Sequence, residues 1–187
     1  MPLCKIISLY TTTIPEEAMR ILCLFGHTWE HCTCLRCEKN RGAQHNWQGL
    51  RCQTCGHTRQ VKQNGNRSDF GDENEYRAYQ LAKKYNFDFS QQYHDEIRSL
   101  LLYEFDNYPG GSSEYLRFLC GYLYCIGHTK DLYLIKKVKY GLNMDVGCMV
   151  DGEWIESIEE DSYIDEFTRS REEIVQSFVD YYISYFS

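Results

Sequence analysis

The chain has 187 residues, 43% of them hydrophobic, with a formal net charge of −7. That length fits one or two domains with a sizeable core. No stretch approaches the roughly 18 apolar residues of a membrane-spanning helix, which leaves a soluble, cytoplasmic protein as the expectation. The charge is split: residues 1–67 carry 9 Lys+Arg against 4 Asp+Glu, and residues 68–187 carry 11 against 23. The halves are therefore net +5 and −12. Only 3 prolines among many apolar runs favour helices over a turn-rich β fold.

Residues 1–26 read as a lead-in followed by a helix. Pro15-Glu16-Glu17 makes a good first helical turn, and Gly26 ends the helix after Phe25. No secretory cleavage pattern follows Met1–Tyr10. The 10 cysteines are then expected as buried thiols or metal ligands in a reducing compartment, not as disulfides.

Residues 27–59 are an internal repeat. At a period of 18, His27 falls on His45, Trp29 on Trp47, Cys34 on Cys52, Cys37 on Cys55 and Arg41 on Arg59. Cys34-x-x-Cys37 and Cys52-x-x-Cys55 are two knuckles separated by fourteen residues, close to the four-thiolate pattern of a structural zinc site. A two-residue insert lets both sulfurs of a knuckle face one ion, and two knuckles complete a tetrahedron. Gly56 stands where such knuckles need a positive φ, whereas the first repeat has Glu38. His27, Cys32, His45 and His57 are further ligand candidates. With the four knuckle cysteines they could fill two sites, His27 and His45 each joining a knuckle and Cys32 and His57 completing the sets. The second repeat has Leu50 in place of Cys32, so two such sites would not be equivalent. One or two structural Zn2+ ions are expected. So short a segment has almost no core, and zinc would supply its folding energy.

The run from Cys23-Leu-Phe through Gly26-His27-x-Trp29-x-x-Cys32-x-Cys34-x-x-Cys37-x-x-x-Arg41 resembles the short tandem cysteine-rich zinc-bead repeats of uncharacterised bacterial and prophage proteins. The resemblance covers roughly residues 23–59 and implies a metal module. Residues 60–71, with Asn64-Gly65-Asn66 and no apolar period, read as a linker.

Residues 72–187 read as an acidic helical domain, so the fold class is mainly α: a small zinc module followed by a helical bundle or short α-solenoid. Helices are expected over Asp72–Tyr85, from Ser90 to about Tyr108, from Ser112 or Ser113 to Gly127, and from Thr129 to Gly141. Leu142–Ser157 suggests a short helix or a tight turn. Ser170-x-x-Glu173 is a capping box that opens a last helix with Ile174, Phe178, Tyr181, Tyr182 and Tyr185 on one face. The stretch Cys125–Ile155 resembles helical hairpins of HEAT-like or immunity-type proteins, which implies a helical repeat or bundle and no particular activity.

No phosphate loop, nucleophile elbow or dinucleotide fingerprint occurs. His94-Asp95-Glu96 reads as a solvated face, His128 as part of a turn, and Asp131, Asp145 and Asp151 as caps and turn residues, with a hard-cation site as the alternative for the three aspartates. The acidic run over 156–166 suggests a docking strip for a basic partner through Glu159, Glu160, Asp161 and Tyr163, joined by Tyr181, Tyr182 and Tyr185. The expectation is a non-catalytic zinc-containing protein that binds, and inhibits, a basic protein. The alternative is a nucleic-acid-binding regulator that uses the basic module, with Trp29 and Trp47 for stacking.

Overall fold

Helix α3, Glu114–Ile126, is apolar on every side, and a helix of that kind is stable only inside a protein. In the structure, a computed structural model that describes residues 29–30, 33–34, 45–159 and 169–187, every α3 residue but Arg117 is buried. The fold among the described residues is mainly helical, with seven α-helices: α1 Glu73–Tyr85, α2 His94–Asp106, α3, α4 Leu132–Gly141, α5 Met144–Met149, α6 Glu153–Glu159 and α7 Arg171–Tyr185. Four two-residue strands precede them: β1 Trp29–Glu30, β2 Thr33–Cys34, β3 Trp47–Gln48 and β4 Arg51–Cys52. Strand β1 pairs antiparallel with β2, and β3 pairs with β4. No helix among the described residues is long and apolar enough to cross a membrane. The helix expected over Pro15–Phe25 lies outside the described residues.

The chain divides into two units. The smaller comprises Met1–Trp47 and Cys52–His57, and the larger Gln48–Arg51 and Thr58–Ser187.

In the larger unit α3 packs against α1, α2, α4 and α5. Helix α7 brings Phe178 and Tyr182 against Phe118 of α3, with ring centroids 5.7 and 4.9 Å apart. Burying an aromatic side chain of this size contributes roughly 1.5–3 kcal/mol. The approach of α7 depends on Gly121. A Cβ there would stand 2.6 Å from Phe178 Cδ2 and 2.8 Å from Trp154 Cη2.

The helix starts follow the local sequence. The Asp72 carboxylate accepts from Glu75 N–H at 3.0 Å and caps α1. Ser170 Oγ accepts from Glu173 N–H at 3.2 Å, and Glu173 Oε2 accepts from Ser170 N–H at 2.8 Å, so the capping box of α7 forms. Asn86 ends α1 in the left-handed region, and Phe87 follows with φ +54°. A bulky residue holds that conformation only when packing compensates. The Phe87 ring is buried against Phe89, Phe118 and Phe178.

Residues 60–71 are not a free linker. Val61 is buried, Lys62 N–H donates to Phe186 O at 3.1 Å, and Tyr79 Oη donates to Lys62 O at 2.8 Å. Phe70 packs on Tyr79 at 4.8 Å between centroids. The Asn-Gly turn hid these anchors, because a polar stretch with two well-placed apolar residues has no period to read.

Candidate metal centre

Strands β3 and β4 fold back on each other across Gly49 and Leu50, with Gly49 at φ +57°. The knuckle follows at once. Gly56 N–H donates to Cys52 O at 2.9 Å, Cys52 N–H to His57 O at 2.8 Å, and Gln53 N–H to Asn46 O at 2.8 Å. Gly56 takes φ +72°, the conformation that its place after Cys55 requires.

This turn brings together His45, Cys52 and Cys55, whose ligand atoms all lie within 4.8 Å of one another. Cys55 Sγ is 3.5 Å from His45 Nδ1. Two thiols and an imidazole at this spacing are soft donors of the kind that zinc prefers, and the group could hold a metal ion. Burial by itself would raise the Cys52 thiol. Hydrogen bonds from His45 and from the N–H groups of Cys55 and Thr54 outweigh it and bring the pKa from 9.0 down to about 5. Cys52 is thus held ready as a thiolate, the form that binds metal. Around the group His45 packs on Trp47 and His57, with centroids 4.7 and 5.8 Å away. Of residues 45–47 and 52–57 Cys52 alone is buried, so apolar packing among them contributes little to holding the turn.

Among the described residues His45 stands with the second knuckle, Cys52 and Cys55. His57 lies beside the His45 ring and is not part of the group. Of Cys34 only the strand backbone is described; His27, Cys32 and Cys37 lie outside the described residues.

The second repeat departs from the first at Leu50, and the larger unit shows what that residue does. Leu50 packs against the helical core. Beside it Gly49 N–H donates to Gln176 Oε1 at 2.6 Å, and Arg59 Nη2 donates to Gly49 O at 3.2 Å and pairs with Asp180. The tip of the hairpin is thereby seated on α7.

Of the expected docking strip, Glu160, Asp161 and Tyr163 lie outside the described residues. Glu159 pairs with Lys136. Tyr185 is 42% exposed, and Tyr181 is half-buried and stacked on it at 5.5 Å, with the Arg117 guanidinium 3.8 Å from the Tyr181 ring centre. Tyr182 does not belong to a docking strip: it is fully buried against Phe118, Phe178 and Phe186. Adjacent residues on a helix diverge by about 100°, so Tyr181 and Tyr182 cannot both face water.

A second polar cluster was not legible in the sequence. His94, expected on a solvated face, is buried at the start of α2. Its Nε2 is 2.6 Å from Asp131 Oδ2 and its Nδ1 is 2.9 Å from Asp95 Oδ1. Asp131 is fully buried and makes no side-chain cap, contrary to expectation; its other oxygen takes Arg98. The His128 ring packs on His94 at 4.2 Å between centroids, tilted by 41°. The one local signal was the i, i+4 spacing of His94 and Arg98, which puts both on one face. Both ring nitrogens of His94 already face carboxylates, so the cluster reads as a structural tie between α2 and the turn before α4. Asp151 does act as a turn residue, accepting from Glu153 N–H at 3.0 Å.

No protein-family model, no curated protein and no solved structure matches this chain.

Proposed function

We propose that this chain is a non-catalytic zinc protein with a small zinc module followed by a helical bundle that docks on a basic protein partner, in the manner of an immunity or anti-defence protein. The observation that carries the metal reading is the convergence of His45, Cys52 and Cys55. The period of 18 sets His27, Cys34 and Cys37 at the equivalent positions of the first repeat, and β1 and β2 stand 18 residues before β3 and β4. That correspondence supports two structural zinc ions, one to each repeat, over a single ion on the four knuckle cysteines.

The charge of −12 over residues 68–187 supports a basic partner. A nucleic-acid reading is weaker, because three cations that would serve it are engaged by acids: Arg59 by Asp180, Lys62 by Asp69 and Arg67 by Glu73.

Native mass spectrometry of the full chain purified without added metal tests the zinc assignment. Two zinc ions are expected, with one lost in C52S and weakened in H45A. A single ion that is indifferent to H45A would return the site to the four cysteines, and no ion would remove the proposal. For the partner, capture from host lysate at low salt is expected to yield a basic protein that salt releases; failure to recover one would count against that half.

A further inference from the structure

One face of the helical unit, formed by α2 and α4, differs in character from the rest. Tyr133 and Tyr140 on α4 are 75% and 72% exposed, and Met144 at the start of α5 is 85% exposed. Exposed apolar residues need an explanation when they share a face, and two of these lie on one side of α4. Tyr133, Lys137 and Tyr140 recur at i, i+4 and i+7 and form one stripe along α4. Lys137 Nζ lies 4.3 Å from the Phe105 ring centre on α2, and Leu102, one turn before Phe105, is 36% exposed. The two stripes therefore meet at Phe105.

Helix α4 is basic within an acidic stretch, while exposed Asp95 and Asp106 on α2 and Asp145 beside Met144 stand at the edges of the face. In a stretch with 23 acids against 11 bases, Lys130, Lys136, Lys137 and Lys139 fall within ten residues. Lys139 donates to Gly147 O and Val150 O and is used in closing α5. The other three are spaced around the tyrosines, and one of them already holds a carboxylate: Lys136 pairs with Glu159 of α6.

We propose that this face docks an acidic amphipathic segment of a partner protein. Its apolar side chains would lie on Tyr133, Tyr140 and Leu102, and its carboxylates would meet Lys130 and Lys137. Tyrosine gives a rigid contact at low entropy cost, and a lysine rim selects the sign of the partner. Salt screens the distant acids of the body beyond about 8 Å, so a short acidic segment responds mainly to the nearby lysines. A nucleic-acid strand fits less well. Its continuous phosphate charge would feel the whole acidic body, and Leu102 and Met144 offer nothing to a stacked base. This inference is independent of the zinc reading and concerns a different partner from the basic one proposed above.

The test is selection of random peptides displayed on phage against the full chain purified with its metal, with counter-selection on the Y133S/Y140S variant. Both tyrosines are largely exposed, so the variant keeps its helical circular dichroism. The expected survivors carry acids flanking apolar residues at helical spacing. One of them, synthesised and labelled, should bind by fluorescence anisotropy and weaken roughly tenfold in K137E, where attraction becomes repulsion. The proposal is overturned if no peptide depends on the two tyrosines, or if the dependent peptides are basic. It is equally overturned if oligothymidine binds in their place, or if the chain forms a dimer that Y140S dissociates, which would make a second copy the occupant.

Discussion

His94 Nε2 stands 2.6 Å from Asp131 Oδ2, and both groups are shut away from water. Asp131 is the acceptor on which the cluster depends, since Arg98 bonds its second oxygen. Removing it would leave two basic side chains facing each other with no acid between them. Breaking a buried pair from one side costs about 3–5 kcal/mol, mostly because the remaining group is stranded. Asp131→Ala should lower the urea midpoint by a corresponding amount with an unchanged m-value. A loss under about 1 kcal/mol would place the cluster with ordinary surface ion pairs.

Gly121 sets how closely α7 approaches α3. A methyl group there meets Phe178 and Trp154 at distances no carbon pair tolerates, and both rings are themselves packed. Overpacking typically costs about 1–3 kcal/mol and forces neighbours off their rotamers. Gly121→Ala should lower the melting temperature and alter the near-ultraviolet dichroism of Trp154, while Gly110→Ala, with nothing within 4 Å but a positive φ, should perturb stability without that spectral change.

Much of the helical unit was legible because its signals are local. Asp72, the Ser170–Glu173 box and Gly127 each act within one turn of their own position, and each does so in the structure. On α3 the helical spacing of Leu116, Leu119, Cys120 and Leu123 is legible as a stripe; the rings between them are buried as well, because α1, α2, α4 and α5 pack against this helix and α6 and α7 press rings on it. Long-range partners left no trace in the sequence. Asp131 looks like any cap, and Val61 and Phe70 look like isolated residues in a loop; Asp131 meets His94 37 residues away, and Phe70 meets Phe186 116 residues away. The candidate metal site was legible as composition and spacing. The spacing allows His45 beside the knuckle as one of two arrangements, and the hairpin that brings Asn46 over Gln53 is what places it there.

The α7 capping box gives a pH signature. Hydrogen bonds from the Ser170 N–H and hydroxyl hold Glu173 below the ordinary carboxylate value of 4.5. A carboxyl depressed in the folded state contributes stability that is present above its unfolded value and is lost as pH falls through the folded one. The stability gap between the parent and Glu173→Gln should therefore be constant near neutrality and shrink below pH 4.5. Ser170→Ala should cost about 1 kcal/mol at neutral pH and remove only the smaller, hydroxyl share of that pH dependence, since the N–H of residue 170 still donates to Glu173. A gap that stays constant down to strongly acid pH would mean that the carboxylate contributes nothing by its charge.

Metal removal should act on one unit and spare the other. Of residues 45–47 and 52–57 only Cys52 is buried, so the hydrogen bonds from Cys52, Gln53 and Gly56 have little apolar packing from these residues behind them. The helical unit has its own core around α3 and owes nothing to the knuckle for it. Chelation should therefore speed amide exchange at Cys52, Gln53 and Gly56 by orders of magnitude and leave Leu119 and Leu123 protected, with helical dichroism unchanged. Cys52→Ser should reproduce the local effect without chelator. The tip residue Leu50 is the discriminating position: it packs against the helical core, so its protection should outlast that of the knuckle. If Leu50 and the knuckle lose protection together, the hairpin depends on metal throughout. If none of these amides responds to chelation, the turn is held by its hydrogen bonds alone and the metal centre has no structural role.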